Sequence, residues 1–285
     1  MLQGALAGLA AGGLYAILAV CLVVMARLVR VVNFAQVAVG MFGAFAAVTL
    51  TSGSVPPLVG ALIGLVVGAA ISGLLGLIVA TWLSEADVSA RSATTVAALL
   101  LLVSLAFILF GTKPLPFRPL FPGAAFEVGD VVISQVTVVL VVLAIVVAAS
   151  TKALLTWTPL GIRLRALSER PTTAELIGIP SRRLSVGVWV ATGAIATFAV
   201  MVVAPSQSND ATTLSLAIIP AAAAALAGGF RRLDLAVAGG LALGMLEGAL
   251  AQLGSFTVVR YFVPFLAIVA LLLWMQRREV WDAAR

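Results

Sequence analysis

Nine apolar runs divide this sequence, each close to the length a helix needs to cross a bilayer. A helix rises about 1.5 Å per residue, so about 20 consecutive apolar residues cover the roughly 30 Å of hydrocarbon. The runs fall at residues 3–26, 34–51, 56–82, 94–111, 131–151, 185–204, 213–229, 235–253 and 258–276. Charged residues make up 10% of the chain against the about 25% usual for soluble domains. A lipid-exposed backbone has to satisfy its own hydrogen bonds, and helices do so within one segment. The sequence therefore predicts an all-α integral membrane protein, one polytopic helical bundle over residues 1–285 with about eight or nine transmembrane helices. The first span begins almost at once, without the basic stretch of a cleavable signal.

Two links between runs are long. Residues 112–130 hold KPLPFRPLFPGAAFEVGD, and their prolines and aromatics predict an ordered loop rather than a helix. Residues 152–184 are rich in arginine. Each span flips the chain, so placing 152–184 in the cytoplasm also puts Arg27, Arg30, Arg91, Arg231, Arg232, Arg277, Arg278 and Arg285 there. With Lys152, Arg163, Arg165, Arg170, Arg182 and Arg183, that side collects 14 of the 17 basic residues. Only Lys113, Arg118 and Arg260 fall outside. The asymmetry predicts an outside N-terminus, a cytoplasmic C-terminus and an extracytoplasmic 112–130 loop. It also explains the net charge of +6 without a nucleic-acid partner.

Several chemistries are excluded. There is no histidine, which removes histidine metal sites and histidine acid–base catalysis. The single cysteine, Cys21, sits in an apolar run and reads as a small core residue. No G-x-x-x-x-G-K-[ST] segment is present, so any nucleotide-derived energy has to come from another chain. No cofactor and no catalytic residue are expected.

Glycines recur at every fourth position in Gly4, Gly8 and Gly12, in Gly60, Gly64 and Gly68, and in Gly240, Gly244 and Gly248. Small residues at that spacing let helix backbones approach closely in lipid. Packing within the chain is favoured over a dimer interface.

Three polar features stand out. Glu247 is the one acidic residue well inside a span, and a buried carboxylate there has to face protein or water, or be protonated. Two readings stay open for it, a group lining the pathway or a hydrogen bond to a neighbouring helix. Asn33 and Gln36 interrupt the apolar sequence before the second run, as in the discontinuous helices of transporters, and Asn33 also suits a local cap. The third feature is WTPLGIRLRALSERPTTAELIGIPSRRL at 157–184. Pro159 and Gly161 end the preceding span. Leu164, Leu167 and Ser168 share one helical face with Arg165 and Glu169 at its edge. Thr172 or Thr173 is expected to cap a second short helix that Gly178 ends. Such a pair, with apolar knobs and charged edges, suits docking into a groove on a soluble partner or resting on anionic lipid.

Three blocks together resemble the permease subunits of the high-affinity branched-chain amino-acid type of ABC importer. They are GLAAGGLYAILAVCLVVMARLVRVVNFAQVAVGMFGAF, PLGIRLRALSERPTTAELIGI and LAGGFRRLDLAVAGGLALGMLEGAL, at the start, middle and end of the chain. The resemblance implies a pore of two permease subunits, two cytoplasmic ATPases and an extracytoplasmic solute-binding protein. It places Arg165, Ala166, Glu169, Ala174, Leu176, Gly178 and Ile179 in coupling helices, and ATP-driven closure then shifts the spans between states. Two departures stand out: Gln36-Val37 replaces the family's His-Gly, and Arg231-Arg232-Leu233-Asp234 replaces a Gly-Ser…Pro-Gly turn. The competing readings are an ion- or proton-coupled carrier using Glu247, and a non-transporting scaffold.

Overall fold

The computed structural model describes residues 2–50, 56–117, 119–128, 131–206, 210–253 and 259–283. Twelve α-helices occupy most of them: α1 (Leu2–Leu28), α2 (Gln36–Leu50), α3 (Pro57–Trp82), α4 (Val88–Phe110), α5 (Gln135–Trp157), α6 (Pro159–Glu169), α7 (Pro171–Leu176), α8 (Ser181–Val203), α9 (Ala211–Leu216), α10 (Ile218–Ala227), α11 (Leu233–Ala251) and α12 (Val263–Ala283). Seven are long and apolar enough to cross a membrane, and α2 and the α9–α10 pair are shorter apolar segments. Counting those two, the described chain passes along the bundle nine times.

Local chemistry sets the helix starts. The Asp87 carboxylate accepts from the Ala90 N–H at 2.9 Å and opens α4. Ser134 does the same for α5 through Thr137 N–H at 3.2 Å, and Thr158 for α6 through Gly161 N–H at 3.0 Å, with Pro159 at the first helical position. These caps satisfy N–H groups that a helix leaves without internal partners. Two spans therefore differ from their expected bounds. Helix α4 starts at Val88 rather than 94, because its polar first turns are capped rather than apolar. The run from 131 begins as a strand, and its helix starts at Gln135 and continues to Trp157.

The loop at 112–130 forms no helix among its described residues. Phe117 reaches back to Phe45, with ring centroids 5.9 Å apart, and Phe110 packs edge-on against Phe42 and Phe45. The chain then makes an antiparallel hairpin of β1 (Ala124–Val128) and β2 (Val131–Ser134), a small exception to an otherwise helical fold. The expected span at 213–229 is broken at Ala217. Pro220 has no N–H to offer the Leu216 carbonyl, so one helix cannot run through.

Helix α1 is the buried axis. Residues 16–23 are at most 1% exposed, and α11, α5, α10 and α8 surround them. Its glycines meet those of α11 in antiparallel order: Gly4 faces Gly248, Gly8 faces Gly244 and Gly248, and Gly12 faces Gly240. A Cβ added at Gly4 would lie 2.5 Å from the Gly248 carbonyl oxygen, so backbone itself forms the contact. Close approach of this kind supplies the van der Waals attraction that replaces the hydrophobic drive in lipid. Helix α8 is a second axis. Antiparallel to it, α3 packs Gly68 on Thr197 and Gly76 on Trp189, while Ser72 donates to the Trp189 carbonyl at 2.6 Å. Helix α2 lies parallel to α8, with Gly40 on Ala196 and Gly43 on Thr197.

These pairings fix the ends of the bundle. One end gathers the C-termini of α1, α3 and α5, the N-termini of α4, α8 and α11, and all of α6 and α7. It is the basic end, and Arg27 donates to the Arg231 carbonyl across it at 3.1 Å. The hairpin, the N-terminus of α1 and Arg260 lie at the other end.

Candidate functional site

The candidate coupling residues form an elbow at the basic end. Helix α6 turns off α5 where Gly161 lies so close to Leu154 and Leu155 that no side chain fits there. Leu164 and Leu167 are buried beneath it, and Arg165 and Glu169 point outward. Neither Thr172 nor Thr173 caps α7, contrary to expectation. Its first position is Pro171, whose missing N–H and preset φ suit a helix start, and both threonines lie inside the helix.

Glycine ends α7 as expected. Gly178 adopts φ +82, its N–H donates to the Glu175 carbonyl at 2.9 Å, and Ile179 N–H donates to the Ala174 carbonyl at 3.0 Å. This is the Schellman arrangement of bonds, which a residue without Cβ enters at little strain. The Ser181 hydroxyl donates to the Glu175 carboxylate and ties the turn to α8.

Not all seven expected coupling residues are on the surface. Ala174 is buried and packs the elbow together, and Ala166 and Ile179 are half-buried. Arg165, Glu169, Leu176 and Gly178 are exposed, Leu176 to 88%. Ile177, 71% exposed, joins Leu176 in an apolar tip that Arg165, Arg170 and Arg182 surround in sequence.

Arg30 is the residue that sequence reasoning missed. It sits at φ +56 after α1, and its guanidinium donates to the Ser168 carbonyl from Nε at 3.0 Å and from Nη2 at 2.6 Å. Nη2 also donates to the Glu169 carbonyl at 2.9 Å. A cation on the last carbonyls of α6 completes bonds the helix leaves open and opposes the negative end of its dipole. Arg30 thus ties the elbow to the α1–α2 junction. Only its left-handed backbone, unusual for arginine, marks the position, and sequence does not show it.

Asn33 and Gln36 form a closed node at that junction. Both are fully buried, and Asn33 Nδ2 donates to Gln36 Oε1 at 2.8 Å. Asn33 Oδ1 accepts from Ala35 N–H at 3.1 Å, an Asx turn just ahead of α2 rather than the expected cap on its first turn, where Ala35 holds the cap position. Gln36 Nε2 donates to the Thr192 carbonyl, halfway along α8, at 2.7 Å. Helix α2 therefore begins inside the bundle rather than at its end, and non-helical residues 29–35 cover the remaining depth. Thr95 holds that segment from α4, accepting from Phe34 N–H at 3.0 Å and donating to the Val32 carbonyl at 3.0 Å.

Glu247 lies apart from both groups. Half-buried on α11, it accepts a hydrogen bond from the Tyr15 hydroxyl of α1 at 2.9 Å. Arg260 is near enough to act on it electrostatically. The interhelical bond left open by the sequence is present, and it closes the glycine-packed seam between α1 and α11.

A cavity of about 370 Å³ opens between α1, α5, α6 and α8 near the basic end. It touches Cys21 and Thr192, but Asn33, Gln36 and Glu247 do not line it.

Close glycine seams, a helix that starts at mid-depth and a capped elbow at one end belong to a multi-pass helical bundle of the kind that spans a membrane. The chain belongs to the family described as branched-chain amino acid transport system / permease component, whose model matches residues 4–272. No curated protein and no solved structure matches the chain.

Proposed function

We propose that this chain is the membrane subunit of an ATP-driven ABC importer for branched-chain amino acids or a related small polar solute, such as urea, a short amide or an organic acid. The observation that carries the reading is the α6–α7 elbow. It offers Leu176 and Ile177 at an exposed apolar tip, lies in an arginine-rich stretch of the sequence, and is braced by Arg30 and the Gly178 turn. A rigid, exposed helical tip is suited to a groove on a soluble protein and can pass that protein's movement into the spans. In this reading the basic end is cytoplasmic and the N-terminus lies outside, as the segregation of arginines favours. Two cytoplasmic ATPase subunits supply the energy, a second permease subunit completes the pore, and an extracytoplasmic binding protein delivers the solute.

Asn33, Gln36 and Glu247 enter the proposal as points where pathway helices are held in register. The Asn33–Gln36 node joins α2 to α8, and the Glu247–Tyr15 bond joins α11 to α1. Substituting Glu247→Gln is expected to lower transport partially with assembly preserved. A transport rate unchanged across pH would reduce Glu247 to packing.

Recovery of the chain from membranes with a stoichiometric ATPase tests the main reading. Uptake that collapses with an uncoupler while ATP is held constant would instead assign an ion-coupled carrier. Labelling of residues beside Ser168 from outside intact cells would invert the orientation and sink the docking role.

A further inference from the structure

The cavity beside the elbow has no place in the docking reading, and its lining defines what it accepts. Its deep walls are apolar, with Val20, Val24, Val147, Val188 and Ile195 among them. Among the described residues that line it, Arg183, in the first turn of α8, is the one that carries a charge. Among the described residues, none ion-pairs or hydrogen-bonds with the Arg183 guanidinium. A zwitterionic amino acid would leave its ammonium without an acidic partner here. An amphiphile with one negative head and a hydrocarbon tail matches both ends.

The dimensions agree. Ile195 lies twelve positions along α8 from Arg183, about 18 Å at 1.5 Å per residue. One leaflet supplies about half of the roughly 30 Å hydrocarbon thickness. Trp157 and Trp82, each more than 80% exposed at this end of the bundle, mark where aromatic side chains meet headgroups. The volume, about 370 Å³, lies at the low end of the about 300–1,000 Å³ of ligand pockets. Gly187 lines the cavity, and a Cβ built there meets nothing within 4 Å. That backbone borders space rather than a neighbouring helix.

We infer that this cavity binds an acyl chain of an anionic phospholipid from the leaflet at the basic end, with the headgroup phosphate on Arg183. Leu160 and Leu164 of α6 form one wall, so the bound chain packs directly beneath the elbow. A lipid held there fills the space between α6 and the spans and limits how far the elbow can tilt. The site stands whether or not α6 and α7 dock an ATPase, and its test does not read transport.

The full chain is placed in nanodiscs of phosphatidylcholine containing phosphatidylglycerol with a photoreactive diazirine in its acyl chain. After irradiation, adducts are mapped by peptide mass. Adducts are expected on Val24, Leu164 and Val188, reduced at least fivefold by Gly187→Leu, which fills the cavity, and by Arg183→Gln, which removes the charge. Excess unlabelled phosphatidylglycerol is expected to compete, and phosphatidylcholine is not. Unchanged thermal unfolding of the Gly187→Leu protein keeps its loss of labelling attributable to the cavity. If it unfolds early, Arg183→Gln decides alone. Adducts confined to outward positions such as Leu100 and Leu266 overturn the proposal, as does equal competition by phosphatidylcholine or by a free fatty acid. Protection that follows self-association of the chain rather than phosphatidylglycerol would give the groove to a second copy, and would also overturn it.

Discussion

Substitutions at Gly178 separate backbone strain from charge at the tip of the elbow. The residue holds φ +82, and a Cβ placed there meets nothing within 4 Å, so Gly178→Ala introduces no clash. Its penalty is conformational, about 1–2 kcal/mol for an L-residue held in the left-handed region. A change of that size shifts an equilibrium by a factor of about 5–30. The turn in Gly178→Ala should therefore open about 5–30 times more often, whereas Gly178→Asn, which tolerates this conformation, should open only slightly more than the parent. Hydrogen exchange at the amides of residues 178 and 179 reads this directly, because they donate to the Glu175 and Ala174 carbonyls. Gly178→Asp resembles asparagine in backbone preference but adds a negative charge to the turn proposed to dock. It should leave membrane insertion and exchange near the asparagine level, yet uncouple ATP hydrolysis from uptake. Parent-like exchange in the alanine variant would refute the strain argument. Normal uptake in the aspartate variant would remove the turn from coupling.

Other perturbations test the remaining contacts. Arg30→Ala should free the last carbonyls of α6 and raise amide exchange through residues 165–169, with Arg30→Lys intermediate because it lacks the planar fork of donors; equal exchange in all three proteins would show that the clamp holds nothing. Gly244→Leu should prevent α1 and α11 from closing, with a penalty of about 1–3 kcal/mol or more as overpacking, while Gly187→Ala, beside open space, should leave the melting temperature in detergent unchanged; the reverse order would contradict the seam. Asp87 should make the first turn of α4 sensitive to acid. The Ser89 hydroxyl and then the Ala90 N–H hold its carboxylate below the ordinary range, so the contribution is present above the unfolded pKa of about 3.9 and is lost as pH falls through the folded value. Exchange in that turn should be flat from neutral pH to 5 after correction for intrinsic rates, and should rise only in stronger acid. An Asp87→Asn protein with the same acid dependence would assign the effect elsewhere.

Much of this architecture is legible in hydropathy, because lipid imposes length and apolarity on every span. What hydropathy misses is polar or nonlocal. The start of α4 escaped because Ser89, Arg91, Ser92 and Thr94 do not look like a span, although Asp87 signals a cap. The strand at Val131–Ser134 is as apolar as the helix after it, and only pairing with Ala124–Val128 distinguishes the two. Pro220 was a visible warning that the seventh apolar run would break. The glycine spacing identified faces for close packing without identifying partners, since any two small-residue stripes are equivalent until the bundle assembles. At the elbow, the Gly178 stop was readable from one residue. The Arg30 clamp joins positions 138 residues apart and leaves no local pattern.

The seam between α1 and α11 bears on how the protein is made. A ribosome adds about 5–20 residues per second, so Gly248 follows Gly4 by roughly 12–50 s. For that time the first helix resides in the bilayer without its closest companion, its glycine stripe open to lipid or to the insertion machinery. Nascent chains arrested before residue 240 should remain accessible along that stripe, and they should become protected once the eleventh helix arrives.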